Sequence, residues 1–306
     1  MWGSNAVAVL TVTGIGSREV HMSPDDFFKG ASSAQTPSGR IGYVECGRGP
    51  VALFVHGVLL NGYFWRHQLE NLGNIRRCIA PDLLAHGRTE IDANQEVSVT
   101  ANARMLGEFL DELKIDQVDL IGNDGGGGIC QIFAAIYPER VRSITLTNCD
   151  THDNWPPEAF KPFVKLVGDG GLPSLLSSML GDKNIYRSPQ ALGPAYERPE
   201  AVADATIEAY LRPHVRTQQR TSDLERFVDA FDNEHTVLIE PQLRALGAPA
   251  LIVWGDSDVY FDVKWSQWLE KTLGGPTRRV VLKGAYIFFP EERAQQFNQE
   301  LRAFWT

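Results

Sequence analysis

The pattern of apolar and polar positions divides the chain into short strands and helices. Residues 40–46 (Arg-Ile-Gly-Tyr-Val-Glu-Cys) alternate with the period of two of a half-buried strand. After a Gly-Arg-Gly-Pro turn, residues 51–55 read Val-Ala-Leu-Phe-Val, an unbroken apolar run that fits a strand covered on both faces. Residues 78–80, 118–121, 141–147, 250–254 and 279–282 predict further strands. Met105, Leu106, Phe109, Leu110 and Leu113 recur at helical spacing and predict a helix over 101–113. Residues 129–137 predict a second helix, stopped by Pro138, and 291–304 a last one. Strands alternating with helices imply an α/β class with a mostly parallel, doubly wound sheet.

The alternation stops after Cys149. Over 150–235 no buried strand is evident, and amphipathic stretches lie between prolines 156, 157, 173, 189, 194, 199 and 213. The chain therefore divides into an α/β core (38–149 and 236–306) with a helical insertion, the cap, over 150–235. Residues 1–37 give no clear pattern and are taken as an N-terminal extension. Its apolar stretch 6–10 is short and lacks a basic flank, so it is not read as a signal peptide.

Composition narrows the functional classes. Apolar residues are 43% and charged residues 22% of 306, which is globular rather than disordered. The net charge of −9 disfavours nucleic acid and anionic membrane surfaces as partners. No apolar run approaches a membrane span. Cys46, Cys78, Cys130 and Cys149 are widely spaced without a CxxC pair, which predicts reduced, buried thiols in a cytoplasmic protein. No metal-ligand spacing appears among the histidines and cysteines, so neither metal nor cofactor is expected.

Four consecutive glycines, Gly125 to Gly128, follow the 118–121 strand. Gly122-Asn123-Asp124-Gly125-Gly126 has the G-x-Nu-x-G form of a nucleophile elbow, with aspartate as nucleophile on a sharp strand-to-helix turn. A phosphate-binding loop is the alternative. The register of a dinucleotide loop is wrong here, and the Gly-Lys-Ser/Thr of a Walker loop is absent.

With this elbow, three other segments resemble the α/β-hydrolase superfamily, in its epoxide hydrolase and haloalkane dehalogenase branch. His56-Gly57-Val58-Leu59 is similar to the HGxP oxyanion loop, with Leu59 for proline. Residues 81–89 are similar to a P-D-x-x-G-x-G-x-S loop, and Trp254-Gly255-Asp256-Ser257-Asp258 to the WGxxD segment carrying the acid of the catalytic triad. The resemblance implies an α/β-hydrolase fold and a hydrophobic small-molecule substrate. It implies that Asp124 attacks an epoxide or alkyl carbon and that Val58 and Gly125 supply oxyanion N–H groups. Asp258 would be the acid, with Asp150, 26 residues after Asp124 at the other strand end where some relatives place their acid, as the alternative. Tyr286 stands where such enzymes carry histidine, and His152 is the histidine put forward to activate water instead. Asn61, Trp155, Tyr186 and Tyr210 are the candidate substrate-binding residues, with Tyr196 also available. Gly125 lacks the indole N–H that many dehalogenases place at this position, which favours epoxide over halide chemistry. A non-hydrolytic lyase, isomerase or cyclase, a silent ligand-binding protein, and a homodimer all stay open.

Overall fold

The computed structural model describes residues 22–306; the apolar stretch 6–10 lies outside the described residues. Eight strands form one sheet: β1 (Ala31–Thr36), β2 (Gly39–Cys46), β3 (Val51–Val55), β4 (Arg77–Pro81), β5 (Val118–Asp124), β6 (Val141–Cys149), β7 (Ala250–Gly255) and β8 (Thr277–Leu282). Their order is β1-β2-β4-β3-β5-β6-β7-β8. The β1–β2 and β2–β4 pairs are antiparallel and the rest are parallel. β3, β5 and β7 are buried along nearly their whole length, as their apolar runs predict.

Among the described residues four α-helices precede β6: α1 (Pro24–Lys29), α2 (Arg66–Leu72), α3 (Val99–Glu112) and α4 (Gly125–Ile136). The β3–α2–β4 connection steps one way across the sheet, while β4–α3–β5 and β5–α4–β6 step the other way. Right-handed crossovers then place α2 on one face and α3 with α4 on the other. The direction reverses between β3 and β5, the place where an open α/β sheet forms a crevice beyond its strand ends.

Part of the stretch taken as an extension is sheet. β1 pairs with β2 from Ala31↔Val44 to Thr36↔Gly39. Its sequence, Ala-Ser-Ser-Ala-Gln-Thr, is polar because an edge strand buries only Ala34 and Thr36. Phe27 of α1 is buried and stacks edge-on to Tyr63, whose hydroxyl donates to the Met22 carbonyl. Between β6 and β7 the chain forms only helical elements, among them Lys161–Gly168, Leu172–Gly181, Asp204–Leu211 and Gln218–Asp229.

α4 begins four residues earlier than the pattern predicts, and all four glycines lie inside it. Each glycine costs about 1 kcal/mol against alanine in a helix interior, so packing must decide. A Cβ on Gly126 would stand 2.4 Å from the carbonyl oxygens of Val55 and His56. One on Gly127 would stand 2.3 Å from Cβ of Cys149, and one on Gly128 would stand 2.3 Å from the Trp155 ring. The run lets α4 press on β3, β6 and the segment around Trp155 that follows β6.

Candidate active site

The elbow is strained. Asp124, the last residue of β5, has φ 55 and ψ −137, a left-handed backbone for a non-glycine residue. Strain of this kind turns the side chain away from the sheet toward the crevice. β3 and β5 are neighbours with Val55 opposite Gly122, so the loop after β3 lies beside the elbow. There the Val58 N–H donates to Asp124 Oδ2 at 2.8 Å. Gly57 has no alternative residue, because a Cβ would stand 2.1 Å from that same oxygen. Leu59 has φ 62, which a proline ring forbids, and this accounts for leucine in place of the motif's proline.

The loop is held from below by a neutral histidine. His56 Nε2 accepts from the Leu83 N–H at 3.0 Å and Nδ1 bonds the Gly57 carbonyl at 2.8 Å. Burial drives its pKa down to about 3. Asp82 accepts from the Gly62 and Arg88 N–H groups and shapes the 81–89 loop beneath it.

Three carboxyls converge where β5, β6 and β7 end. Withdrawal from water pushes Asp124 up to about 7, against the lowering pull of the Val58 and Gly125 N–H groups. Burial also raises Asp258 to about 7, with the Asp124 charge adding to it. Asp150, directly after β6, is buried, and burial followed by repulsion from Asp124 raises it well above the ordinary carboxyl range. Among the described residues no cation forms an ion pair with any of the three, so protons stabilise the cluster at neutral pH.

The other candidates separate into those near this cluster and those elsewhere. Asp258 Oδ2 accepts from Asn148 Nδ2 at 2.8 Å and Oδ1 from the Tyr260 N–H at 2.9 Å. Asp258 is thus oriented by an amide rather than by an imidazole. Tyr286 is half-buried in the loop after β8, and that loop is tied to the elbow by Asn123 Nδ2, which donates to the Ile287 carbonyl at 2.9 Å. His152 turns elsewhere: Nδ1 lies 3.4 Å from Asp153, Nε2 lies 3.3 Å from Glu240, and its ring packs on Trp268.

The candidate substrate-binding side chains are largely engaged. Asn61 accepts from the Tyr63 N–H and donates to the Ala209 carbonyl at 2.7 Å, so it ties the loop after β3 to the helix Asp204–Leu211. Trp155 fills the space above Gly128 and meets Phe231 edge-on. The hydroxyls of Tyr186 and Tyr196 bond each other at 2.9 Å. Tyr210 donates to Glu291 at 3.1 Å, beside the buried Arg66–Glu291 ion pair. Its position on a helix was readable from sequence; the ion pair that claims its hydroxyl joins residues 225 apart in the chain.

Tyr260 and Asn148 belong to the cluster and carry no motif of their own. Burial and the Asp258 and Asp124 charges raise the Tyr260 phenol to about 12. A residue two positions beyond the WGxxD acid was the only available signal for Tyr260; for Asn148 it was a polar residue at the end of an apolar strand.

Comparison with known proteins agrees with this architecture. A model of the alpha/beta hydrolase fold family matches residues 50–292. The chain is 28% identical over 229 residues to haloalkane dehalogenase 2 of Mycobacterium tuberculosis, covering 74% of this chain and 77% of that one. It is 22% identical over 277 residues to epoxide hydrolase 3 of Xenopus tropicalis, covering 87% and 74%. Among solved structures, Cfl2 from Burkholderia cenocepacia superimposes with a TM-score of 0.74 at 23% identity, over 90% of this chain and 95% of that one.

Proposed function

Because the chain belongs to the alpha/beta hydrolase fold family, we propose that it is a hydrolase in which Asp124 attacks an epoxide carbon, or an activated alkyl carbon, of a hydrophobic small molecule. The observation that carries this reading is the 2.8 Å hydrogen bond from Val58 N to Asp124 Oδ2. It fixes one carboxylate oxygen and leaves the other for attack on carbon. The same N–H faces the oxygen that becomes anionic when water adds to the resulting ester, and the Gly125 N–H also bonds the carboxyl. The second half-reaction is atypical, because Tyr286 takes the usual histidine position and His152 is engaged by Asp153 and Glu240.

Halide displacement is the less favoured route. Gly125 carries no side-chain donor for a leaving halide, and the Asn61 amide is committed to the Ala209 carbonyl. A second reading has one specific support: at about 7, Asp124 is poised to act as a general base in an isomerisation or cyclisation without an ester. All four cysteines are buried and unpaired, in keeping with a cytoplasmic protein, and among the described residues no helix is long and apolar enough to cross a membrane.

Intact mass after mixing the protein with a panel of epoxides tests the nucleophile. The expected result is an adduct of epoxide mass that is lost in Asp124→Asn. No adduct with any epoxide, together with turnover by Asp124→Asn, overturns the covalent reading.

A further inference from the structure

β5 and β6 run parallel, with Asp124 opposite Cys149. The residue directly after β6, Asp150, therefore leaves the sheet beside the elbow. The residue is 2% exposed and its Oδ1 has no hydrogen-bond partner. Its Oδ2 lies 3.9 Å from the point where a Cβ on Gly125 would stand, and the Val58 Cγ2 methyl lies 3.4 Å from the same point. The space over Gly125 is thus bounded by the Asp150 carboxyl on one side and the oxyanion loop on the other. Any larger residue at 125 would project between them.

Burial without an ion-pair partner, and with one oxygen lacking a hydrogen bond, favours the neutral form of the Asp150 carboxyl, and that form carries a transferable proton. Its neighbour Asp124 lies lower on the proton-affinity scale, since two backbone N–H groups face it and none but its own faces Asp150. Two carboxyls whose environments separate their proton affinities divide naturally into an acid and a nucleophile.

We propose that Asp150 is the acid/base residue of this site, taking the part that the absent histidine would play; this rests on the covalent reading of Asp124. As Asp124 Oδ1 bonds to the epoxide carbon, the C–O bond of the ring breaks and its oxygen takes the Asp150 proton. This leaves a hydroxyalkyl ester and an Asp150 carboxylate. Asp150 then takes a proton from water while the water oxygen adds to Cγ of Asp124. The tetrahedral oxyanion is held by Val58 and Gly125. On collapse the alkoxide departs with the proton of the new Asp124 carboxylic acid. Diol, Asp124 carboxylate and neutral Asp150 result, so epoxide plus water is balanced and the site is restored.

Styrene oxide is a suitable probe for the full-length protein. The wild type and Asp124→Asn decide the parent reading: the wild type is expected to form diol and Asp124→Asn to be inactive. Asp150→Asn is expected to lose about 10²–10⁴-fold in kcat and to flatten the pH–rate profile. Asp150→Gly is expected to regain rate with added formate, a rescue that a purely structural role would not show. If Asp124→Asn is dead while Asp150→Asn keeps the wild-type kcat and pH profile, the Asp150 proposal falls and the nucleophile stands. A wild type that yields neither diol nor adduct overturns both. Infrared spectra of the wild type give a readout independent of any variant's folding. A neutral-carboxyl band persisting at about pH 8 is expected, well beyond the ordinary carboxyl range, and its absence overturns the proposal.

Discussion

The Val58 N–H and Asp124 Oδ2, 66 residues apart in the chain, meet at 2.8 Å at the tips of two neighbouring strands. The contact exists because Gly57 has no side chain and Asp124 accepts a left-handed backbone. Gly57→Ala places a methyl group where Oδ2 now sits. Displacement of the attacking carboxyl is expected to slow epoxide labelling of Asp124 about 100-fold, the cost of misplacing a reacting group by about 1 Å. Overpacking adds a destabilisation of about 1–3 kcal/mol. Intact mass and urea unfolding measure the two effects, and labelling at the wild-type rate would contradict the geometry.

The glycine run makes a prediction that separates neighbours. A Cβ at 126 meets two backbone oxygens at 2.4 Å, whereas one at 125 finds its closest neighbour, a valine methyl, at 3.4 Å. Gly126→Ala is expected to lose about 1–3 kcal/mol or more. Gly125→Ala should stay within about 1 kcal/mol of wild type, the size of the helix-propensity difference. Thermal melts of the two variants side by side check this.

The carboxyl cluster makes stability depend on pH in a defined direction. Asp258 has its pKa raised to about 7 in the folded state. Between its unfolded value near 4 and that value, the native state binds the extra proton, so this group's contribution worsens as pH rises. Asp258→Asn is therefore expected to gain stability relative to wild type as pH goes from about 4 to about 7, by about 1–3 kcal/mol. The buried neutral His56 and His86, lowered to about 3 and about 4, impose the opposite slope. The difference between variant and wild type removes their effect, and chemical denaturation at several pH values reads it. A difference that stays constant with pH would show that Asp258 titrates normally.

Arg66 and Glu291 form an ion pair at 2.6 Å with both side chains under one-tenth exposed. Arg66→Met strands a buried carboxylate and is expected to cost about 3–5 kcal/mol. Tyr210→Phe removes one hydrogen bond to Glu291 and should cost about 1 kcal/mol. It should change epoxide turnover less than tenfold, because the hydroxyl faces Glu291. A hundredfold loss of turnover at unchanged stability would return Tyr210 to the active site.

His152 engages Asp153 and Glu240 and packs on Trp268. His152→Gln is accordingly expected to retain turnover within a few-fold and to show the wild-type pH–rate profile. A collapse of the reaction at the ester stage, seen as an accumulating adduct, would make it the base that activates water.

The parts of this protein written in local sequence were legible. Buried parallel strands need unbroken apolar runs, so β3, β5 and β7 stood out. A sharp strand-to-helix turn needs small residues around it, so the turn at Asp124 stood out too. β1 was illegible because an edge strand buries alternate residues only, and its buried positions are an alanine and a threonine. The helical state of the glycine run was hidden because intrinsic propensity opposes it and only close packing imposes it.

The sequence by itself determined the α/β class, the sharp turn at Asp124, and the placement of Val58 and Asp258 in the loops that follow β3 and β7. These depend on periodicity and on residue types that a local backbone shape requires. Only the tertiary structure decided what each side chain faces. It bound Asn61 to the Ala209 carbonyl, turned His152 to Glu240, engaged Tyr210 with an ion pair, and left one oxygen of the buried Asp150 carboxyl without a hydrogen bond. Hydrogen bonds and proton affinities depend on neighbours brought from distant parts of the chain, and local pattern holds no record of those neighbours.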